Sequence, residues 1–418
     1  MVRGSRKAGT VAAAISVAVF GAACGGSSSG GTTTPSGAPS SSQAPTGAPI
    51  KIGLLASLSG TGGSSVKYAA TTVQAWGKWV NATGGLNGHP VTIIIKDSKS
   101  DPAGAISGAQ ALVNSSKVDL LLLGDPTAEL AAGKFLSKSG VPIMGFGYTP
   151  IWNQAPNFFA TSAVIPLLYT IQPAGAAAVG AKAFGSIACA EVPTCSSGAQ
   201  AYGPAGKAVG VKYNGIVTAS STAASYTAEC LRLTQKGTDY IEATFASATV
   251  IRVAQSCTQQ GFKGWIGLAS GSTVAKDFDA AKGIKFAGSI WAAPWWGDSA
   301  PVKNFRDVMA QYDAGNDYED ANSSAMWAAL EVFHNVAGQL GDTVSRQAVM
   351  DALYTVKDET LDGMLAQPIT FTKGKPSPAV NCMFLYKLEN GTFTTATLGS
   401  AGNAQSGDLQ SSCFPPKQ

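Results

Sequence analysis

Short apolar runs alternate along the chain with stretches whose apolar residues recur at helical spacing. The clearest example is Val118–Pro150. Val118–Leu123 reads VDLLLL and stops at Gly124-Asp125-Pro126. A run that short, closed by Gly and Pro, fits a strand buried on both faces. Over Ala128–Ser139 the apolar positions Leu130, Ala131, Phe135 and Leu136 fall at helical spacing. Thr127 is placed to cap that helix and Gly140 to end it. Val141–Phe146 is a second apolar run, closed by Gly147 before Tyr148-Thr149-Pro150. Two parallel strands joined through a helix place both following loops at the carboxyl edge of the sheet, where open α/β sheets bind ligands. Those loops offer backbone N–H groups and the hydroxyls of Thr127 and Thr149, which makes this edge the candidate ligand-binding surface.

The same rhythm runs through the rest of the chain. Ile50–Leu55 and Val91–Lys96 read as strands. Between them a helix runs through Val66, Ala69, Ala70, Val73 and Ala75–Val80 and stops at the turn formers of Asn81–Gly88. Ala103–Ser115 is helical. Strands are predicted at Ser186–Ala190, Val211–Val217, Tyr240–Phe245 and Trp265–Leu268. Helices open at Ala199 and cover Tyr226–Lys236 and Val250–Gln260. Ser289–Trp296 is strand-like and aromatic, followed by helices Val302–Gln311, Ser323–Gly338 and Val344–Leu353. Ile369–Thr372 and Met383–Leu388 read as strands, and Asn390-Gly391 is a hairpin turn signal. Strands alternating with helices predict an α/β fold of two doubly wound parallel-sheet lobes.

The chain has 418 residues, 45% hydrophobic and 13% charged, with a formal net charge of +4. So weak and scattered a charge argues against nucleic acid as a partner. Met1–Cys24 has a basic start (Arg3, Arg6, Lys7), an apolar core (Val11–Phe20) and small residues before Cys24. This reads as a secretory signal whose core is too short for a membrane span. The setting of Cys24 resembles a bacterial lipobox, which predicts lipidation there and anchoring to the outer face of the cell membrane. Residues 25–49 are Gly, Ser, Thr and Pro with almost no apolar residue, and read as a flexible tether. Six of the seven cysteines then remain, and an even number in an exported chain favours disulfides. Neighbour pairing gives Cys189 with Cys195, Cys230 with Cys257 and Cys382 with Cys413, though sequence permits other connectivities. The spacings lack a C-x-x-C pair, and His89 and His334 lie far from the cysteines, so no metal is expected. Both histidines read as structural. No nucleophile elbow, phosphate loop or paired Cys/His is found, so neither catalysis nor a cofactor is expected.

IKIGLLASLSGTGG, WVNATGGLNGHPVTIIIKDSKSDPAGAISGAQALV, LLLGDPT and VPIMGFGYT, in that order, are similar to the leucine/isoleucine/valine-binding branch of type I periplasmic binding proteins. Those are the substrate-capturing components of ABC importers. The resemblance implies two lobes, residues 50–160 with 295–368 and residues 161–294 with 369–418. A multi-strand hinge is implied near Phe158–Ile165, Trp291–Trp296 and Gln367–Thr372. It places Thr127 and Ala128 at a ligand carboxylate, with Ala128 where Ser is usual, so that only its backbone N–H remains. Thr149 with Gly147 matches a second loop contact, and Tyr148 is suited equally to stacking on ligand and to packing in the hinge. Tyr202 matches an aromatic position on the far lobe, Ser59 a cleft wall, and Ser270 the loop at Leu268–Thr273. That loop lacks the carboxylate with which amino-acid binders hold the α-amino group. An amide, a short or aromatic carboxylate or another small polar metabolite is therefore as open as an amino acid. The implied function is an extracytoplasmic lipoprotein, expected to be monomeric, that delivers a small molecule to ABC permease subunits. The alternative is a ligand-sensing domain for a separate membrane receptor.

Overall fold

Five strands form an all-parallel first sheet: β1 (Ile50–Ala56), β2 (Val91–Asp97), β3 (Leu120–Leu123), β4 (Ile143–Gly145) and β5 (Phe158–Ala160), in the order β2-β1-β3-β4-β5. This computed structural model describes residues 44–164, 167–313, 315, 318–398, 405–406 and 409–414. The expected signal segment, Cys24 and most of the tether lie outside the described residues. The four leucines of β3 are fully buried, as the central strand of a sheet covered on both faces requires. The covering helices are α1 (Gly63–Ala82), α2 (Pro102–Gln110) and α3 (Pro126–Leu136). The helix predicted over Ala103–Ser115 is regular only to Gln110. Its last turn, Ala111–Ser115, widens to a π-helical turn in which the Ser116 N–H reaches the Ala111 carbonyl.

The chain then enters the second lobe through α4 (Leu167–Ala178). Pro173 sits inside this helix, an interior position that proline ordinarily disfavours. There follow β6 (Ala183–Cys189), α5 (Pro193–Ser197), α6 (Ala199–Ala208), β7 (Lys212–Ala219), α7 (Thr227–Thr234), β8 (Tyr240–Thr244), α8 (Ser247–Gln259), β9 (Trp265–Leu268) and β10 (Lys285–Ile290). β10 ends where the predicted strand Ser289–Trp296 begins. Beyond it, Ala292 makes only an isolated bridge to Leu365. Helices α9 (Ala300–Tyr312), α10 (Ala321–Ala337) and α11 (Arg346–Leu353) return to the first lobe. There the Trp76 indole donates to Glu331 at 2.7 Å, and Trp79 stacks on Trp327 at 5.5 Å. His334 packs edge-on against both Trp76 and Trp79, and His89 bridges the Ala48 and Gly341 carbonyls.

Next comes the antiparallel hairpin β11 (Cys382–Glu389) and β12 (Thr392–Ala396), turned at Asn390 and Gly391, both at positive φ. The second sheet runs β12-β11-β10-β9-β8-β6-β7. The short strand Ser412–Cys413 pairs with β11. The predicted strand Ile369–Thr372 reduces to one bridge between Ile369 and Glu359. Ser377, expected in the second lobe, instead bonds Phe158 and Ala160 of β5. Where the lobes join, the Ser162 hydroxyl donates to the Trp291 carbonyl and the Ala293 N–H to Met364. Three disulfides pair Cys189 with Cys195, Cys230 with Cys257 and Cys382 with Cys413.

Candidate functional site

Both sheets turn the carboxyl ends of their parallel strands toward one cavity of about 180 Å³. Its first wall comes from the loops after β1, β3 and β4, and its second from α4 and the loops after β6, β7, β8 and β9. Trp291, between the lobes, closes one side.

The first wall is organised by Asp125. Its side chain accepts from the Thr127 and Ala128 N–H groups at 2.8 and 3.1 Å, so Asp125, and not Thr127, caps α3. An Asp followed by Pro at the first helical position is the sequence signal for this cap. Its other oxygen accepts from the Ser57 and Ser98 hydroxyls at 2.7 and 2.6 Å. The N–H groups expected to meet a ligand carboxylate are thus already held by a buried carboxylate of the protein. That is a correction to the role expected of Ala128, which is fully buried in the helix.

Four of the expected residues, Thr127, Tyr148, Tyr202 and Ser270, come together on the cavity. Ser59, Ala128, Gly147 and Thr149 do not line it. The Ser59 hydroxyl is spent on Asp97, 2.6 Å away, in an exposed loop. Gly147 lies under the Trp152 ring so closely that a Cβ there would overlap it. Thr149 is buried and donates to Glu129 at 2.9 Å, beside the Tyr148 N–H on the same carboxylate oxygen. Burial pushes Glu129 up to about 8, only partly offset by those two bonds.

The second wall carries a buried acid. Glu242, in the middle of β8, lines the cavity although the Leu268–Thr273 loop carries no acid. It accepts from the Ser186 hydroxyl and, at 2.7 and 2.8 Å, from that of Thr244. Burial raises Glu242 to about 7 against these two bonds. A lone acid in the otherwise apolar run YIEATF was its sequence signal. Tyr202 packs its ring against Tyr169, Phe184 and Tyr213. Burial and, secondarily, the nearby Glu242 hold its phenol well above the ordinary value, so it stays neutral. Ser270 shares a hydrogen bond of 2.6 Å with Ser289. Tyr169 and Gln172, from the unread α4, also line the cavity.

The lobes touch across the mouth. Ser65 of α1 accepts from the Ser247 N–H of α8 at 2.9 Å, and Asn322 bridges the Ser65 and Gly271 carbonyls. Among the described residues no helix is long and apolar enough to cross a membrane, and no three His, Cys, Asp or Glu side chains group to hold a metal ion.

The family described as Periplasmic binding protein matches residues 49–392. A leucine binding protein from Thermotoga maritima is 14% identical, with a TM-score of 0.67 over 83% of this chain and 97% of that one. A fatty acid ABC transporter substrate-binding protein from Thermomonospora curvata is 16% identical, with a TM-score of 0.70 over 84% and 93%. An ABC transporter solute binding protein from Rhodopseudomonas palustris, solved in complex with benzoate, is 16% identical, with a TM-score of 0.67 over 89% and 99%. Identities so low show a shared fold. No curated protein matches the sequence significantly.

Proposed function

The chain belongs to the periplasmic binding protein family, with the type I fold, and from that premise we propose that it captures a small polar metabolite between its lobes and delivers it to an ABC importer. It is a binding protein and not an enzyme, as its family and structural neighbours are. The observation that carries the reading is the single cavity walled by the carboxyl-edge loops of both sheets. A solute held from two sides favours the closed arrangement by the difference in its contacts between the two states. Thr127, Tyr148, Tyr202 and Ser270 are the proposed contacts. An extracytoplasmic place follows from the family, and lipidation at Cys24 is the proposed means of attachment.

The test is a thermal-shift screen of the purified chain against amino acids, amides, amines and small acids. A true ligand at a hundredfold excess over Kd adds about 2.7 kcal/mol to stability. Thr127→Ala, which removes a cavity hydroxyl together with one methyl group, is expected to weaken that ligand about fivefold, the worth of one hydrogen bond. The unliganded melting temperature should not move. A screen with no shift anywhere, or a shift that survives blocking of the cavity, defeats the reading.

A further inference from the structure

The residues lining the cavity include three carboxylates, Asp125, Glu191 and Glu242, and no Lys, Arg or His. Asp125 already takes the amides at the start of α3, so the helix end that would attract an anion is neutralised from within. Glu191, at the rim, is held by the Ser220 hydroxyl and the Ser221 N–H at 2.7 and 2.9 Å. Arg252 donates to the Ser221 and Ala223 carbonyls and is not part of the lining. Glu242 is fully buried, and its partners are two neutral hydroxyls, from Ser186 and Thr244. The cavity is also lined by the rings of Tyr148, Tyr169, Tyr202, Phe245 and Trp291, of which Tyr202 lies close to Glu242. The Trp291 indole N–H, itself buried, meets no acceptor among the described residues.

A carboxylate buried without a counter-charge is costly, and a ligand that brings the opposite charge removes that cost. Aromatic faces add to the attraction for a cation. A ligand carboxylate, by contrast, would meet three acids and no cation. We infer that the solute is an organic cation, an amine or quaternary ammonium on an apolar or aromatic body, with no carboxylate of its own. Its charge sits beside Glu242, and the Trp291 N–H is left for an acceptor on the body. This inference rests on the cavity being the solute site, as proposed above, and adds the class of solute.

The groups facing Glu242 are the Ser186 and Thr244 hydroxyls and the phenols of Tyr202, Tyr213 and Tyr240. All three phenols are raised by burial and stay neutral near pH 7. Of these groups only Glu242, at about 7, titrates there. As the ligand amine stays protonated, ionisation of Glu242 sets the sign: binding tightens as pH rises.

The experiment measures affinity of the full chain by calorimetry for two matched sets on phenethyl and n-hexyl skeletons. Each set holds the primary amine, the alcohol and the carboxylate. The expected result is an amine at least tenfold tighter than either partner, strengthening about tenfold from pH 6 to pH 8 as the ionised fraction of Glu242 grows. Glu242→Gln should abolish both the preference and the pH dependence. A matched alcohol that still binds the variant, and a single cooperative melting transition, show that it folds. An alcohol or carboxylate that binds more tightly than the amine overturns the inference and leaves solute capture standing. So does an amine whose affinity survives Glu242→Gln. Silence from both sets overturns the inference, and the proposed function falls with it only if the wider metabolite screen is silent too.

Discussion

Thr149 and Glu129 show how a polar residue's task is fixed by what lies beside it. From sequence, a Thr before Pro at a sheet edge is equally suited to a ligand, a turn or a buried acceptor. The fold gives it the acceptor, Glu129, which lies in the first turn of α3 and is buried. Nothing in the local sequence distinguishes that outcome, because the two residues meet only after two strands have paired. Thr127 and Asp125 are a different case, since the Asp-Pro pair is itself a legible cap signal, stronger than the Thr that follows it. Glu129 also has a measurable consequence. Its carboxyl is raised by burial from an ordinary 4.5 to about 8. The folded chain then holds a proton that the unfolded chain gives up near 4.5. Its contribution to stability is full below that value and is lost as pH rises toward 8, on the order of a few kcal/mol. Glu242, at about 7, acts in the same direction. Glu129→Gln should therefore melt with a visibly smaller decline between pH 5 and pH 8 than the parent. Parallel melting profiles for the two proteins would rule this out.

Elements with one strong pattern were legible. β3, β9 and the hairpin at Asn390-Gly391 lie where their residues placed them, because each is fixed by a short apolar run or a turn that demands positive φ. α4 was not, since an internal Pro173 conceals a helix that only tertiary packing sustains. Trp291 to Trp296 looked like a strand because aromatic residues favour sheets, yet those rings are used to pack the join between lobes. Trp291 stacks on Phe146 at 4.4 Å, and Trp296 on Phe393 at 4.9 Å. α8 shows a dependence that no reading of its own residues can find. It carries no side-chain cap of its own, and its first N–H is met by Ser65 from the opposite lobe. A missing cap costs about 1 kcal/mol. Ser65→Ala is accordingly expected to weaken solute binding about fivefold, read by calorimetry, while leaving the unliganded melting temperature near that of the parent. A lower melting temperature with affinity intact would mean that Ser65 serves the fold and not closure.

At the scale of the molecule, the two-lobe α/β plan was readable because the strand and helix patterns repeat in both halves. The facing of the two sheet edges was an expectation from resemblance, and the cavity now contains Thr127 and Tyr202 together. The charge of that cavity was not readable. It depends on which strand ends converge, and Glu242 arrives from β8 while the expected loop brings only small residues.

The Cys189–Cys195 bridge belongs to that same cavity, since both of its residues form part of the second wall. Equilibrium dialysis of the parent and of a Cys189→Ser/Cys195→Ser variant should therefore find solute held more weakly by the variant, with helical circular dichroism little altered. Equal retention in both would show the bridge to be irrelevant to binding. The expected behaviour has a use for the cell. A copy still awaiting export, with its thiols reduced, draws less on the internal pool of the nutrient and becomes a full trap for it only after crossing the membrane.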